Sequence, residues 1–274
     1  MTFVKPEAPR ADWDNFIPAM EFARGSLAVA DVELRKLFRD PVELFSRAVQ
    51  PVLWLVVFGQ VFSHVRGIPI GTMSYLDYIS PGILAQSVLF SAIFYGIAVI
   101  WERDLGIIHK LLVSPASRGA LVFGKAVAAG FRGIVQASII YLIAAALHIS
   151  IRWEPLPVLG VLCGVILGSA IFSSFSLIIA CLVKTRERFM GIGQVLTMPL
   201  FFASNAIYPL ELMPGWLRFI ARVNPLTYLV DALRGLMIQG GQNMHPLGVD
   251  FGVMALIFLL LVAIAAKLYP SLVR

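Results

Sequence analysis

The segment Gly119–Ala126, GALVFGKA, comes closest to a known chemical motif. It keeps the phosphate-binding spacing G-x-x-x-x-G-K-[ST] up to its last position, where Ala126 stands in place of the hydroxyl that would hold Mg²⁺. No strand-like run precedes it and an apolar helical stretch follows, so a nucleotide cradle is not expected. Lys125 reads better as an anchor at a membrane interface. No other segment is fit to cradle a triphosphate. His64, His109, His148 and His245 are scattered over different loops, and no Ser-Lys pair or carboxylate cluster shares one depth. Cys163 and Cys181 lie in one apolar stretch, about 27 Å apart along a helix, too far for a disulfide. The pattern that does stand out is WERDLGIIHKLLVSPASRG, residues 101–119. Charged and apolar residues alternate there at helical spacing, Ile107, Ile108, Leu111 and Leu112 share a face, and Pro115 stops the helix. Two uses fit equally: an amphipathic helix docking into a partner's groove, or a solvated connecting loop.

The elements that would position these residues follow from composition. Apolar residues make up 59% of the 274, and charged residues 14%. Globular chains average roughly 45–50% and 25%. Mean hydropathy is +0.84. A soluble chain cannot hide that much apolar surface, so a polytopic membrane protein is expected. A disordered chain, a disulfide scaffold and a free nucleic-acid binder are excluded. Six apolar stretches suffice to cross: about 44–63, 79–101, 122–147, 156–183, 189–208 and 249–267. Segments on one side of these spans carry fourteen Lys and Arg against five on the other, which puts both termini in the cytoplasm, on the inner face of the plasma membrane. The first forty residues lack a cleavable signal pattern, and the first span is expected to serve as targeting element.

The expected fold is therefore an all-α membrane protein: a cytoplasmic or interfacial N-terminal segment, 1–43, and a six-span domain, 44–274. Residues 20–40 are too charged to cross. Leu27, Ala30, Leu34, Leu37 and Phe38 share a face away from Asp31, Glu33, Arg35 and Lys36, which predicts a helix lying in the inner interface and ended by Pro41. Arg132 falls inside the third span, where a charge needs a partner or must snorkel. Gly160, Gly164 and Gly168 form a stripe on which a neighbouring helix can pack closely. Pro199 predicts a kink in the fifth span, where Gln194 and Asn205 are placed to bond across helices or line a polar path. The loop of about 208–248 is apolar yet broken by Pro214 and Pro225, which predicts two short helices dipping into the outer leaflet. Asp231 and Arg234 are spaced to pair on one helical face.

The fifth span and this loop resemble the signature of type-2 ABC exporter permeases, such as drug-resistance, nodulation-factor and polysaccharide-export permeases. Thr197, Leu200, Ala203, Ser204 and Ala206, then Met213-Pro214, match its small and apolar positions, and Pro225, Leu226, Tyr228 and Arg234 match its close. The stretch ERDLGIIHKLLVSPASRG looks like the family's coupling segment, with Glu102, Gly106, Ser114 and Pro115 in place. Ile107 and His109 stand where many members carry Thr and an acidic residue, which is nearest to the drug-resistance branch.

The resemblance implies the remaining expectations. Two permease chains, identical or paralogous, pair in the lipid bilayer, and cytoplasmic ATP-binding subunits dock on coupling helices of about residues 101–116. Glu102, Arg103, Asp104, Gly106, Lys110, Leu111, Ser114 and Pro115 would carry that contact. ATP and Mg²⁺ would sit on the partner; this chain would hold no cofactor or metal, bind no nucleic acid and have no ATPase activity. A substrate path is expected between two copies, along the first, second and fifth spans. Phe90, Phe94, Tyr95, Phe201 and Phe202 supply its aromatic surface and Gln194 and Asn205 its polar groups. That surface suits an amphiphilic drug or lipid better than a bare polysaccharide. The alternatives are a polysaccharide or glycolipid export permease of the same family and, in other classes, an ATP-independent channel or an intramembrane enzyme.

Overall fold

The computed structural model describes residues 13–39, 41–63, 73–108, 117–183 and 185–273. Their regular structure is helical, without a strand among them; one isolated β-bridge joins Ile151 and Ile238. Helix α1 covers Trp13–Arg39 and stops ahead of Pro41, as the ring of a proline requires. Helix α2, Pro41–Leu53, runs through a π turn, Trp54–Phe58, into α3, Gly59–Ser63. Four long helices follow the pattern of apolar stretches: α4 Tyr75–Asp104, α5 Arg118–Ala146, α6 Pro155–Leu182 and, at the end, α10 Leu247–Leu268. Between them lie α7, Arg186–Phe202, and two short helices, α8 Gly215–Val223 and α9 Pro225–Met237.

Among the described residues four helices, α4, α5, α6 and α10, are long and apolar enough to cross a membrane, and Ala48–Val61 forms a shorter apolar helix. Helix α4 is the centre of the bundle: 78% of its most apolar window is buried, against 17% for α10. Lipid tails are as apolar as leucine, so close approach of backbones has to hold such helices together. Glycines supply it. A Cβ on Gly82 of α4 would lie 2.3 Å from the Ala206 carbonyl oxygen, so only glycine lets the chain after α7 cross there. The stripe on α6 faces the short helix α9: a Cβ on Gly168 would meet Leu229 at 2.6 Å, and one on Gly160 would meet Leu236 at 3.0 Å.

Two apolar cores stack along the bundle. One gathers Ile83, Val88, Phe172, Phe201 and Leu233; the other gathers Val99, Ile108, Leu121, Phe189 and Tyr269. At the end nearer the first, the connections are stitched to each other. The Arg152 amide donates to the Met237 carbonyl at 2.8 Å and the Gln239 amide to the Ser150 carbonyl at 2.8 Å. The Ser150 amide donates to Asp77 at 2.9 Å, and the Tyr75 hydroxyl to the Ile207 carbonyl at 3.3 Å. This collar joins α4, α5, α6, α7 and α9 at one end.

Candidate functional site

The opposite end carries a buried set of charges. It exists because α1 lies tight against α5: a Cβ on Gly124 would come 2.6 Å from the Ser26 carbonyl oxygen. The glycine-lysine pair of the GALVFGKA segment thus serves helix packing, since Gly124 admits α1 and Lys125 reaches the carboxylate α1 carries. Lys125 Nζ donates to Glu102 Oε2 at 2.7 Å and to Glu33 Oε1 at 3.2 Å. Lys36 Nζ donates to Glu102 Oε1 at 2.6 Å and to Glu33 Oε1 at 3.2 Å. Arg132 stands 3.6 Å from Glu33 and stacks on the Tyr95 ring at 4.4 Å. Glu33, Glu102, Lys125 and Arg132 are all buried, while the Lys36 side chain is about half exposed.

Moving one unpaired charge out of water costs several kcal/mol, so each of these groups depends on the others. Burial pushes the Glu33 carboxyl up, but the charges of Lys125, Lys36 and Arg132 outweigh it and hold the group at about 2, below its ordinary 4.5. Glu33 was expected on the polar face of α1, turned away from the apolar residues. It is instead 4% exposed, whereas Leu27 of the expected apolar face is 67% exposed. Helical periodicity could not show this, because the docking face of α1 is partly ionic. Lys125 likewise is no interface anchor but a buried ion-pair partner.

Helix α4 leads from this cluster into the expected coupling segment. Glu102 belongs to the buried cluster, and Arg103 and Asp104 sit at its rim. Asp104 pairs with Arg186 at 2.9 Å, Arg186 stacks on Trp101 at 3.4 Å, and Arg103 donates to the Val183 carbonyl at 3.1 Å. The end of α4 is thereby fixed to the turn between α6 and α7. Gly106 has φ +71, the left-handed conformation that favours glycine, and the chain turns there. Leu105 is exposed and Ile108 fully buried. Lys110, Leu111, Ser114 and Pro115 lie outside the described residues.

The signature residues gather at the collar end. Pro214 precedes α8, and Pro225 opens α9, where a missing amide costs nothing. Leu226 is fully buried, and the Tyr228 hydroxyl donates to the Arg222 carbonyl at 2.7 Å. Arg234 is buried, stacks on Tyr78 at 4.0 Å and donates to the Asn205 carbonyl at 2.7 Å. Asp231 does not reach for Arg234. Its carboxylate accepts the Met244 and His245 amides at 2.9 Å. Sequence reasoning missed Asn224, which donates to the Leu200 and Ala203 carbonyls at 2.6 and 2.7 Å and caps α9 through the Leu226 amide. An Asn directly before a helix-opening Pro was its available signal.

The expected path residues do not converge on one cavity. Phe201 and Asn205 are fully buried, Gln194 is exposed, and Phe90 and Phe94 are half-buried with ring centroids 6.3 Å apart. A cavity of about 300 Å³ at the collar end is lined by other residues, among them Glu211, Arg218, Arg222 and His245. A continuous exposed apolar surface lies elsewhere. Val49, Leu53, Val57 and Val61 follow each other at four-residue spacing from α2 through the π turn into α3. The Trp54 ring, 6.5 Å from Phe202, joins them to the exposed Val195 and Phe202 of α7.

Comparison with known proteins gives a consistent picture. Residues 26–238 match the membrane family described as ABC-2 type transporter. The ycf38 protein of Cyanophora paradoxa, whose name calls it a transport permease, is 33% identical over 208 residues, covering 73% of this chain and 70% of its own length. The daunorubicin resistance ABC transporter permease protein DrrB1 of Streptomyces coeruleorubidus is 23% identical over 231 residues, 84% of this chain and 81% of the relative. Nodulation protein J of Rhizobium meliloti is 23% identical over 211 residues, 76% and 78% of the two chains.

Proposed function

Because this chain belongs to the ABC-2 type transporter membrane family, as a multi-pass permease that works with an ATP-binding subunit, we propose that it exports an amphiphilic, drug-like or lipid cargo. The relative named for daunorubicin resistance supports an amphiphilic, drug-like cargo. ATP and Mg²⁺ sit on the partner subunit. In this reading the stretch 41–63, about 34 Å as helix, and α7, about 26 Å, supply two crossings beyond the four long helices, against a hydrocarbon core of about 30 Å. Both termini then face the cytoplasm, and α8 and α9 re-enter the outer leaflet. Two copies meet along the exposed apolar surface of α2, α3 and α7.

The observation that carries the proposal is the buried charge set on Glu33, Lys36, Glu102, Lys125 and Arg132. It welds α1, α4 and α5 into one lever at the end of α4, where the segment 101–116 begins. Force applied to that segment reaches three helices at once. The test is reconstitution in liposomes with the ATP-binding subunit, comparing the native chain with the double variant Asp104→Lys, Leu111→Pro. ATP hydrolysis should continue while cargo transport is lost. Unchanged transport overturns the assignment of the segment. Glu102 is not a fit target for this test: reversing a buried carboxylate between Lys36 and Lys125 would break the bundle rather than the docking.

A further inference from the structure

We propose that Asp231, His245 and Asp250 form a binding site for a divalent transition-metal cation of the zinc class, clamping the short helix α9 to the start of the last long helix. The three residues come from three pieces of chain: Asp231 from the middle of α9, His245 from the connector and Asp250 from the first turn of α10. One ligand atom from each lies within 4.8 Å of the others. His245 Nδ1 is 3.4 Å from an Asp231 oxygen and 3.7 Å from an Asp250 oxygen. Both distances exceed a good hydrogen bond. They are close to the edge of a tetrahedron built on metal–ligand bonds of about 2.0–2.1 Å, which is about 3.3 Å.

Asp250 supplies the independent reason to expect an ion. It is fully buried and neither of its carboxylate oxygens has a hydrogen-bond partner; His245 Nδ1 has none either. Two carboxylates side by side inside the protein repel each other, an arrangement that needs a proton or a cation between them. A divalent cation between them and the imidazole removes the repulsion. The remaining partners are placed to hold ligands still. The Met244 and His245 amides fix the Asp231 carboxylate at 2.9 Å, and the His245 ring packs on Tyr228 at 5.7 Å. The imidazole selects zinc-like ions over Mg²⁺ and Ca²⁺, which prefer all-oxygen sites. Three protein ligands leave a fourth position for water, on the side where His245 borders the cavity of about 300 Å³.

The test uses the full-length chain in nanodiscs, with any affinity tag removed and metal stripped by chelation. Co²⁺ is added as a spectroscopic stand-in and then displaced with Zn²⁺. One Co²⁺ per chain is expected, with visible absorption bands of a four-coordinate site that vanish on Zn²⁺ addition. Asp250→Asn, which keeps the shape, and His245→Ala, at a position whose side chain is 39% exposed and therefore tolerant, should each abolish stoichiometric binding. His148→Asn, at a positive φ that Asn accepts, should bind as the native chain does. Absence of stoichiometric Co²⁺ or Zn²⁺ in the native chain overturns the proposal. So does equal binding in the His245→Ala chain.

Discussion

Lys125 is held between two carboxylates on different helices, and its surroundings leave no route to solvent. Removing one member of a buried ionic set leaves the others uncompensated, which costs about 3–5 kcal/mol. Lys125→Met should therefore lower thermal stability of the detergent-solubilised chain by that order, far more than Lys267→Met at the far end of α10. Equal melting temperatures for the two variants would refute the ionic cluster. Glu33 adds a pH signature. Its pKa is lowered from 4.5 to about 2 in the folded chain, so its stabilising share is complete above pH 4.5 and fades as pH falls toward 2. The stability difference between the native chain and Glu33→Gln should stay constant between pH 8 and 5 and shrink below 4.5. A difference that grows on acidification contradicts the assigned partners. None of this pairing was legible in the sequence. Arg132 announced itself as a charge inside an apolar run, but its partner Glu33 lies on another helix nearly a hundred residues away and looked like an ordinary solvated residue.

At the level of single helices, much was legible because the bilayer imposes length and apolar composition together. The apolar runs 79–101, 122–147, 156–183 and 249–267 became α4, α5, α6 and α10, and Pro214 and Pro225 mark the starts of α8 and α9. Boundaries set by tertiary packing were not: α7 ends at Phe202, three residues after Pro199, and the first apolar run is interrupted by the π turn Trp54–Phe58. The glycine stripe on α6 signalled a close neighbour without naming it, since spacing alone does not tell which helix lies opposite. The neighbour is α9. Two glycines separate flexible from rigid obstruction. A Cβ on Gly168 meets the mobile end of Leu229, while one on Gly82 meets the Ala206 backbone oxygen at 2.3 Å. Gly82→Ala should cost more stability than Gly168→Ala, with overpacking typically costing about 1–3 kcal/mol. Thermal unfolding of the two variants decides it, and the reverse order would contradict the packing of α4 against the chain after α7.

In the proposed assembly, two of the exposed apolar flanks take different roles. Helix α10 presents Leu256, Leu259 and Leu260, and α2 through α3 presents Val49, Leu53, Val57 and Val61. The first flank is the outer face of a single helix and suits lipid. The second continues across Trp54 onto α7 and is wide enough for a second copy. With Cys163 and Cys181 replaced by Ser, Val57→Cys should cross-link between copies under oxidation, and Leu259→Cys should not. Cross-linking through Leu259 alone would move the dimer contact to the last helix. The sequence placed a path between copies by likeness to a family, yet the chosen side chains Phe201 and Asn205 turned out to be interior, because a stretch that is apolar on all sides does not say which side meets a neighbour.

The collar that ties Ser150, Arg152, Met237 and Gln239 together has its own consequence. A protease must draw a stretch of unfolded chain into its cleft, and backbone already committed to neighbouring carbonyls does not yield it. Trypsin supplied to that face of sealed vesicles should spare the bond after Arg152, and a cut there would contradict the collar.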